Sequence, residues 1–138
     1  MSAPGGGAPG PGGGAPATLA KLAIDAAFAG VTEPWRPRVV ATLNGQEVKL
    51  ARLSGRFVWH HHEHEDELFL VWRGRLVMEF RDRSVELEPG DLIVVPRGVE
   101  HRPVALEDAE VLLFEPAGVR NTGNVTHPTL TAPEGGAA

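Results

Sequence analysis

The chain has 138 residues, 42% of them hydrophobic, and a formal net charge of -5 from 13 basic and 18 acidic residues; that suits one domain with one packed core. No basic stripe is visible, which argues against a nucleic-acid partner, and no apolar run reaches the length of a membrane span. With no cysteine and no tyrosine, disulfides, thiolate ligands, thiol nucleophiles and phenolic acids or bases are excluded. The N-terminus lacks the charged-then-apolar order of a secretory signal, so a cytoplasmic protein is expected.

Met1 to Pro16 are almost entirely Gly, Ala and Pro. Such a segment buries too little apolar surface to offset its ordering entropy, so residues 1–17 are expected to be a disordered leader. Thr18 is placed to cap a short helix over Leu19 to Phe28, with Leu19, Leu22, Ala23 and Ala26 on one face. Strand patterns follow one another from there. Arg38 to Leu43 and Glu47 to Leu53 flank Asn44-Gly45, a two-residue hairpin signal. Ser54-Gly55 reads as a turn into Arg56 to His62. Glu67 to Trp72 and Arg75 to Phe80 flank Arg73-Gly74, and Ser84 to Leu87, Leu92 to Val95, Arg102 to Leu106 and Val111 to Phe114 complete the series. About eight or nine short strands at regular spacing predict an all-β sandwich or barrel. The single domain is expected over 18–120, with a flexible C-terminal tail over 121–138. Leu68 to Trp72 and Phe57 to Trp59 are apolar on both faces. One face would fill the barrel; the other needs a second sheet, the N-terminal segment or a partner subunit over it, and a homodimer is the economical answer.

Four of the six histidines fall within His60-His61-His62-Glu63-His64-Glu65-Asp66-Glu67. His60 and His62, two apart on an extended segment, share a face. Neutral imidazoles at that spacing can reach one metal ion. Glu67 opens the next strand on the face of Phe69 and Val71 and could supply a carboxylate. His101, after the turn Pro96 to Glu100, could supply a fourth ligand.

The stretch His60-x-His62-x4-Glu67-x6-Gly74 resembles the first motif of the cupin superfamily, and Gly90-x5-Pro96-x-Gly98-x2-His101 resembles the second. Two positions depart from the family pattern: Gly55 stands one residue closer to His60 than the usual Gly, and Ala105 replaces the usual closing Asn. Neither is a ligand; the second bears on local packing or pocket polarity. The resemblance covers Arg38 to Glu115, is nearest to small single-domain bacterial cupins, including those called mannose-6-phosphate isomerase-like, and extends to Glu115-Pro116-Ala117-Gly118 and Asn121-Thr122-Gly123. It implies a double-stranded β-helix (jelly-roll barrel, RmlC-like), usually dimeric, with one divalent metal ion per chain held by His60, His62, Glu67 and His101.

Other residues have plainer readings. His61 alternates away from His60 and His62, His64 sits in the turn, and His127 lies in the tail. Glu63, Glu65 and Asp66 read as a solvated acidic turn from which one carboxylate could orient a ligand imidazole. Trp72, Met78, Phe80 and Phe114 read as core. Gly74, Pro89, Gly90, Pro96 and Gly98 read as turn residues that place Glu67 and His101. Arg52, Arg75 and Arg97 read as exposed charges, with Arg52 the first choice if a substrate carboxylate needs a cation.

Three imidazoles and one carboxylate suit Fe, Mn, Ni, Co, Cu or Zn. They leave coordination positions for water, substrate or O₂, unlike a closed structural zinc site. Three functions fit. The first is a dioxygenase-like enzyme acting on a small chelating organic acid, enol or phenol, which asks little of side-chain acids and bases. The second is a non-catalytic sensor or storage module for a metal or small ligand. The third is a sugar-phosphate isomerase, which needs a proton shuttle and a phosphate cradle; no Gly-rich phosphate loop is visible, and the only lysines are Lys21 and Lys49.

Overall fold

The computed structural model describes residues 19–132. The expected disordered leader, the Thr18 cap and the last residues of the expected tail lie outside the described residues. Seven antiparallel strands form the body: β1 (Arg38–Leu43), β2 (Gln46–Arg56), β3 (Glu67–Arg73), β4 (Leu76–Phe80), β5 (Ser84–Leu87), β6 (Leu92–Val95) and β7 (His101–Pro116). The hydrogen-bonded order is β1-β2-β7-β3-β6, and β4 pairs with β5 and with β7. Asn44 and Gly45 both take positive φ, 52° and 76°, the backbone that a tight β1–β2 hairpin demands.

Two boundaries differ from the sequence expectation. Ser54-Gly55 does not end a strand, and Glu107-Asp108 does not separate two. Both lie inside long strands that change direction without breaking. Along β2 and β7 the register runs to Leu53↔Ala109 and resumes at Gly55↔Ala105. β7 therefore carries extra residues at Leu106, Glu107 and Asp108, all exposed, while Gly55 at φ +76° lets β2 follow the bend. Through this corner β7 pairs β4 with its first residues and β3 with its last, and so joins the two layers of the barrel. The expected strand Arg56 to His62 is likewise not a ladder; beyond Arg56 only His60 pairs, in an isolated bridge to His101.

Alternation fills the interior. Glu67, Phe69 and Val71 of β3 are buried while Leu68, Leu70 and Trp72 are only half so. With Ala51 and Leu53 from β2, Leu76 and Met78 from β4, and Ala109, Val111 and Leu113 from β7, the inward Phe69 and Val71 form the main core. Burying each large side chain stabilises the fold by about 1.5–3 kcal/mol. Met78 is core as expected, and Phe80 packs against its edge. Gly74 is required by space as well as by its φ of +80°: a Cβ there would stand 2.5 Å from the Asp108 carbonyl oxygen.

The N-terminal helix is shorter than expected. It is one turn, Ile24–Ala27, followed by a 3₁₀ turn, Phe28–Gly30. Its buried side is not the expected face. Leu19 and Leu22 are exposed, as are Ala23 and Ala26; Phe28 and Val31 instead pack on Leu50, flanked by Ile24, Ala27, Val40, Trp72 and Leu112. The larger apolar side chains of Phe28 and Val31 hide more surface against the outer face of the sheet than Leu19 to Ala26 could, and that decides the docking. Trp72, expected as core, belongs to this outer cluster and donates Nε1–H to Asp25.

Candidate metal centre

His60, His62, Glu67 and His101 meet in the interior of the structure. Each offers a ligand atom, and these atoms lie within 4.8 Å of one another. All four residues are at least 95% buried. The local chain explains the convergence. The His60–His101 bridge carries two backbone hydrogen bonds, His60 N–H to His101 O at 3.1 Å and His101 N–H to His60 O at 2.9 Å. It clamps the start of the first motif to the start of β7. Gly98 N–H donates to His62 O at 2.8 Å, and the Asp66 carboxylate accepts from the Arg97 backbone N–H and guanidinium. The two motifs are thus stitched at several points, with Glu67 and His101 carried on adjoining strands.

The imidazoles are oriented from behind. His60 Nδ1 lies 2.9 Å from Val58 O, and His101 Nδ1 lies 2.9 Å from Val99 O. A carbonyl only accepts, so each Nδ1 carries the proton and each Nε2 lone pair is left for a metal. Backbone therefore does what one of Glu63, Glu65 or Asp66 was expected to do. Glu63 pairs with His61 at 2.7 Å and Asp66 with Arg97. His61 is half-exposed and His64 exposed, outside the cluster as their positions in the sequence imply.

Glu67 Oε1 lies 3.1 Å from His62 Nε2 and 3.6 Å from His101 Nε2. Even so, Glu67 Oε1, His62 Nε2 and His101 Nε2 are all buried without a properly aligned hydrogen-bond partner. Buried polar atoms left unpaired cost about 1–3 kcal/mol each, so a convergent set of them fits a cation. Burial, and then the neighbouring His101, push the His60 imidazole down to about 4, which keeps it neutral near pH 7. Burial pushes Glu67 up, but His101 and His62 outweigh it and hold the carboxyl below the usual carboxylate range. A carboxylate beside three imidazoles is a donor set for a divalent ion.

Behind the cluster lies a cavity of about 30 Å³, lined mainly by Trp35, Phe57, Phe69, Leu113, Glu67 and Glu115, with room for a water molecule or two. Trp35 closes one side. Its backbone sits at φ 61°, its ring stacks on Phe57 at 4.3 Å between centroids, and its Nε1–H donates to Ser54 O at 2.9 Å. Arg52 does not enter this space, in line with its default reading as an outward charge, so the conditional role toward a substrate carboxylate finds no support in the cavity lining. Ala51 and Leu53 take the inward phase of β2, so Arg52 points outward to Val31 O, Phe28 O and Glu110. Arg75 and Arg97 are exposed and paired with Glu86 and Asp66. Ala105, in place of the motif's Asn, is 1% exposed within the core opposite Gly55; an apolar contact takes the place of a polar one.

Sequence reasoning passed over a second buried polar group. Lys49 Nζ lies 3.1 Å from Glu115 Oε2 and 3.6 Å from Glu47 Oε1. Burial, and then the charge of Glu67, push Glu115 well above the usual carboxylate range, against the pull of Lys49. The signal was present: Lys49 keeps the phase of Ala51 and Leu53, and Glu115 that of Val111 and Leu113. Opposite charges at inward phases on strands that prove to be neighbours mark a buried pair.

The segment expected as a flexible tail supplies contacts up to Ala132. Asn124 Oδ1 accepts from His61 N–H at 2.8 Å, and Asn124 N–H donates to His61 O at 3.0 Å. Asn121 Nδ2 donates to Trp35 O and Leu130 O. His127 Nδ1 accepts from the backbone of Leu130 at 3.1 Å, a structural part. Gly123, at φ +57°, lies so close to the His61 carbonyl that a Cβ would collide with it.

Fold and site together define a β-barrel with a histidine-and-carboxylate centre, and the comparisons identify the family. The Cupin domain family matches residues 47–115, half of the chain, and the chain belongs to it. It is 38% identical over 64 residues to the uncharacterized protein YdbB of Bacillus subtilis (strain 168), a match covering 46% of this chain and 57% of that protein. The chain thus spans less than two thirds of that relative. Among solved structures it is similar to a cupin-2 domain containing protein from Shewanella frigidimarina, with 39% identity and a TM-score of 0.68 over 69% of this chain and 93% of that one. It is also similar to a protein from Neisseria meningitidis, with 26% identity and a TM-score of 0.66 over 71% of this chain and 100% of that one. Among the described residues no helix is long and apolar enough to cross a membrane.

Proposed function

We propose that this cupin domain holds one divalent metal ion on His60, His62, Glu67 and His101 and works on a small chelating organic molecule placed at the open coordination positions, as a dioxygenase-like enzyme. The observation that carries this reading is the set of buried, unpaired ligand atoms on three of these residues. A divalent ion held there would act as a Lewis acid on a chelating oxygen and, if iron, manganese or copper, as a redox centre. The chain's own residues do the rest. Val58 and Val99 carbonyls fix the protons of two imidazoles, Glu67 supplies the charge, and Trp35, Phe57 and Phe69 give the cavity beside the site apolar walls. Among the described residues no free lysine or arginine lines the cavity, which weighs against the sugar-phosphate isomerase alternative.

The test begins with metal analysis of protein purified without a nickel column, where about one ion per chain is expected. Oxygen uptake is then measured on the Fe(II)-loaded protein with small chelating enols and phenols. Turnover that stops in the absence of O₂ supports the enzyme; saturable binding without turnover assigns a sensor or storage module; turnover indifferent to O₂ assigns an isomerase. Wild-type protein that takes up no divalent metal sinks the site.

A cytoplasmic homodimer belongs to the same reading. The outer face supports it: Leu68 stands beside Val94 and Phe114, and Leu70 beside Leu92 and Leu112. Leu92 and Val94 are about half exposed on β6, and such apolar rows on a sheet face are a common subunit contact. Light scattering should give twice the chain mass, and Leu92→Lys should halve it.

A further inference from the structure

The metal reading leaves one buried group unused. Glu115 is 3% exposed, and the cavity it lines is also lined by His60 and Glu67. Its Oε2 is held by Lys49 Nζ at 3.1 Å. Its Oε1 is buried and has no hydrogen-bond partner. Glu67, the other carboxyl in the cavity, can meet Glu115 only through a shared proton and is counted to the metal in this reading; the remaining polar neighbours are spent elsewhere. Asn121 gives Nδ2 to Trp35 O and Leu130 O and takes Ala132 N–H on Oδ1. Trp35 gives Nε1–H to Ser54 O. The remaining walls, Ala51, Leu53, Phe57, Phe69 and Leu113, have no side-chain polar atom to offer.

An oxygen so placed is a ready partner for whatever occupies the cavity, a water before a ligand binds and a ligand group that displaces it. Purely structural use would pair both oxygens, as the chain does for the Arg97–Asp66 contact at its surface. Lys49 anchors one oxygen and so aims the other. A hydroxyl group is the natural partner, because it can donate to a carboxylate or accept from a carboxyl. The cavity is small, so the hydroxyl must belong to a molecule of few atoms, or to the narrow end of a larger one.

We infer that Glu115, positioned by Lys49, is a ligand-contacting residue that recognises a hydroxyl group on the side of the ligand facing away from the metal, which makes small hydroxycarbonyl compounds the substrate class. This rests on the metal reading above, since the ligand's other end is taken to be held by the ion.

Dihydroxyacetone and hydroxyacetone test it, because they share one chelating hydroxyketone half and differ only in the second hydroxyl. On the Co(II)-loaded protein, the visible cobalt bands report binding of either probe. Dihydroxyacetone should half-saturate at about tenfold lower concentration, the size of one well-formed buried hydrogen bond. Glu115→Gln keeps an oxygen in place and should retain most of the preference. Glu115→Met alone would strand the Lys49 ammonium and could unfold the chain, so Lys49→Met is combined with it; replacing both charges by apolar groups of similar volume is tolerated. That double variant should still take up cobalt and should bind the two probes equally. Equal binding by the wild type, or an unchanged preference in the double variant, overturns the inference while leaving the metal site standing. A wild type that takes up no cobalt overturns both.

Discussion

Leu76, Met78, Val71, Ala109 and Val111 fill one region of the barrel interior, each essentially inaccessible to water and none with a side-chain polar atom. In the neighbouring region His60, His62, Glu67, His101 and Glu115 are nearly as deeply buried, and four of their side-chain atoms have no hydrogen-bond partner. β3 and β7 serve both, β3 giving Glu67 to one and Val71 to the other, while His60 and His62 come from the segment between β2 and β3 and Leu76 and Met78 from β4. The apolar region gains free energy by excluding water, while the polar region gives some of it back. Stability and chemistry are thereby assigned to separate stretches of one barrel, and substitutions should sort the same way.

The sharpest separation is expected from Glu67→Ala. Metal content measured by atomic emission should fall from about one ion per chain to near zero, while the chain stays folded by circular dichroism. Retention of full metal would break the contrast at its root. Met78→Ala should do the converse, lowering stability in denaturant titration by about 2–5 kcal/mol while the remaining folded protein keeps its metal.

Acid should act on the polar region alone. His60 is held down to about 4 from the ordinary imidazole value of about 6.5, so between these limits the unfolded chain binds more protons than the folded one. Stability is then fully present above about pH 6.5 and declines as pH falls toward 4, by on the order of 3 kcal/mol for the metal-free protein. Metal should be lost over the same acid range, because protonated imidazoles cannot ligate. A stability curve flat from pH 7 to 4 would contradict this. Gly74→Ala, which forces a side chain into a positive-φ turn against Asp108, should cost about 1–3 kcal/mol in the same titration. The mildest change is Asp66→Ala. It removes an exposed contact to Arg97, so Tm should hardly move and metal content should hold; a large loss of metal would show that the rim, too, builds the site.

The parts of this molecule visible in the sequence are those governed by local rules. Period-two alternation placed Glu67 with Phe69 and Val71, and Asn44-Gly45 announced its hairpin. The spacing of His60, His62, Glu67 and His101 marked the residues that meet in the structure. What stayed hidden depends on distant partners. Ser54-Gly55 and Glu107-Asp108 look like chain reversals because Gly and acidic residues favour turns, yet each sits at a bend in a long strand whose neighbours hold it extended. The buried helix face does not show in the local pattern because its burial depends on Leu50 and Trp72, far along the chain. Lys49 and Glu115 look unrelated until the β2–β7 register brings their strands together.

The spacing of the four clustered residues also bears on how the protein comes to be assembled. Three of them are near neighbours in the chain, between His60 and Glu67, so a nascent or unfolded chain can already grip an ion loosely. The fourth, His101, arrives only when β7 has docked, because its backbone is pinned to His60 by the bridge at the head of that strand. Metal binding by the unfolded chain would weaken the extra thermal protection that added metal confers on the native state. By the same token, a change in cobalt colour as the fourth ligand closes would time the docking of the last strand, so the proposed centre doubles as a reporter of completed folding.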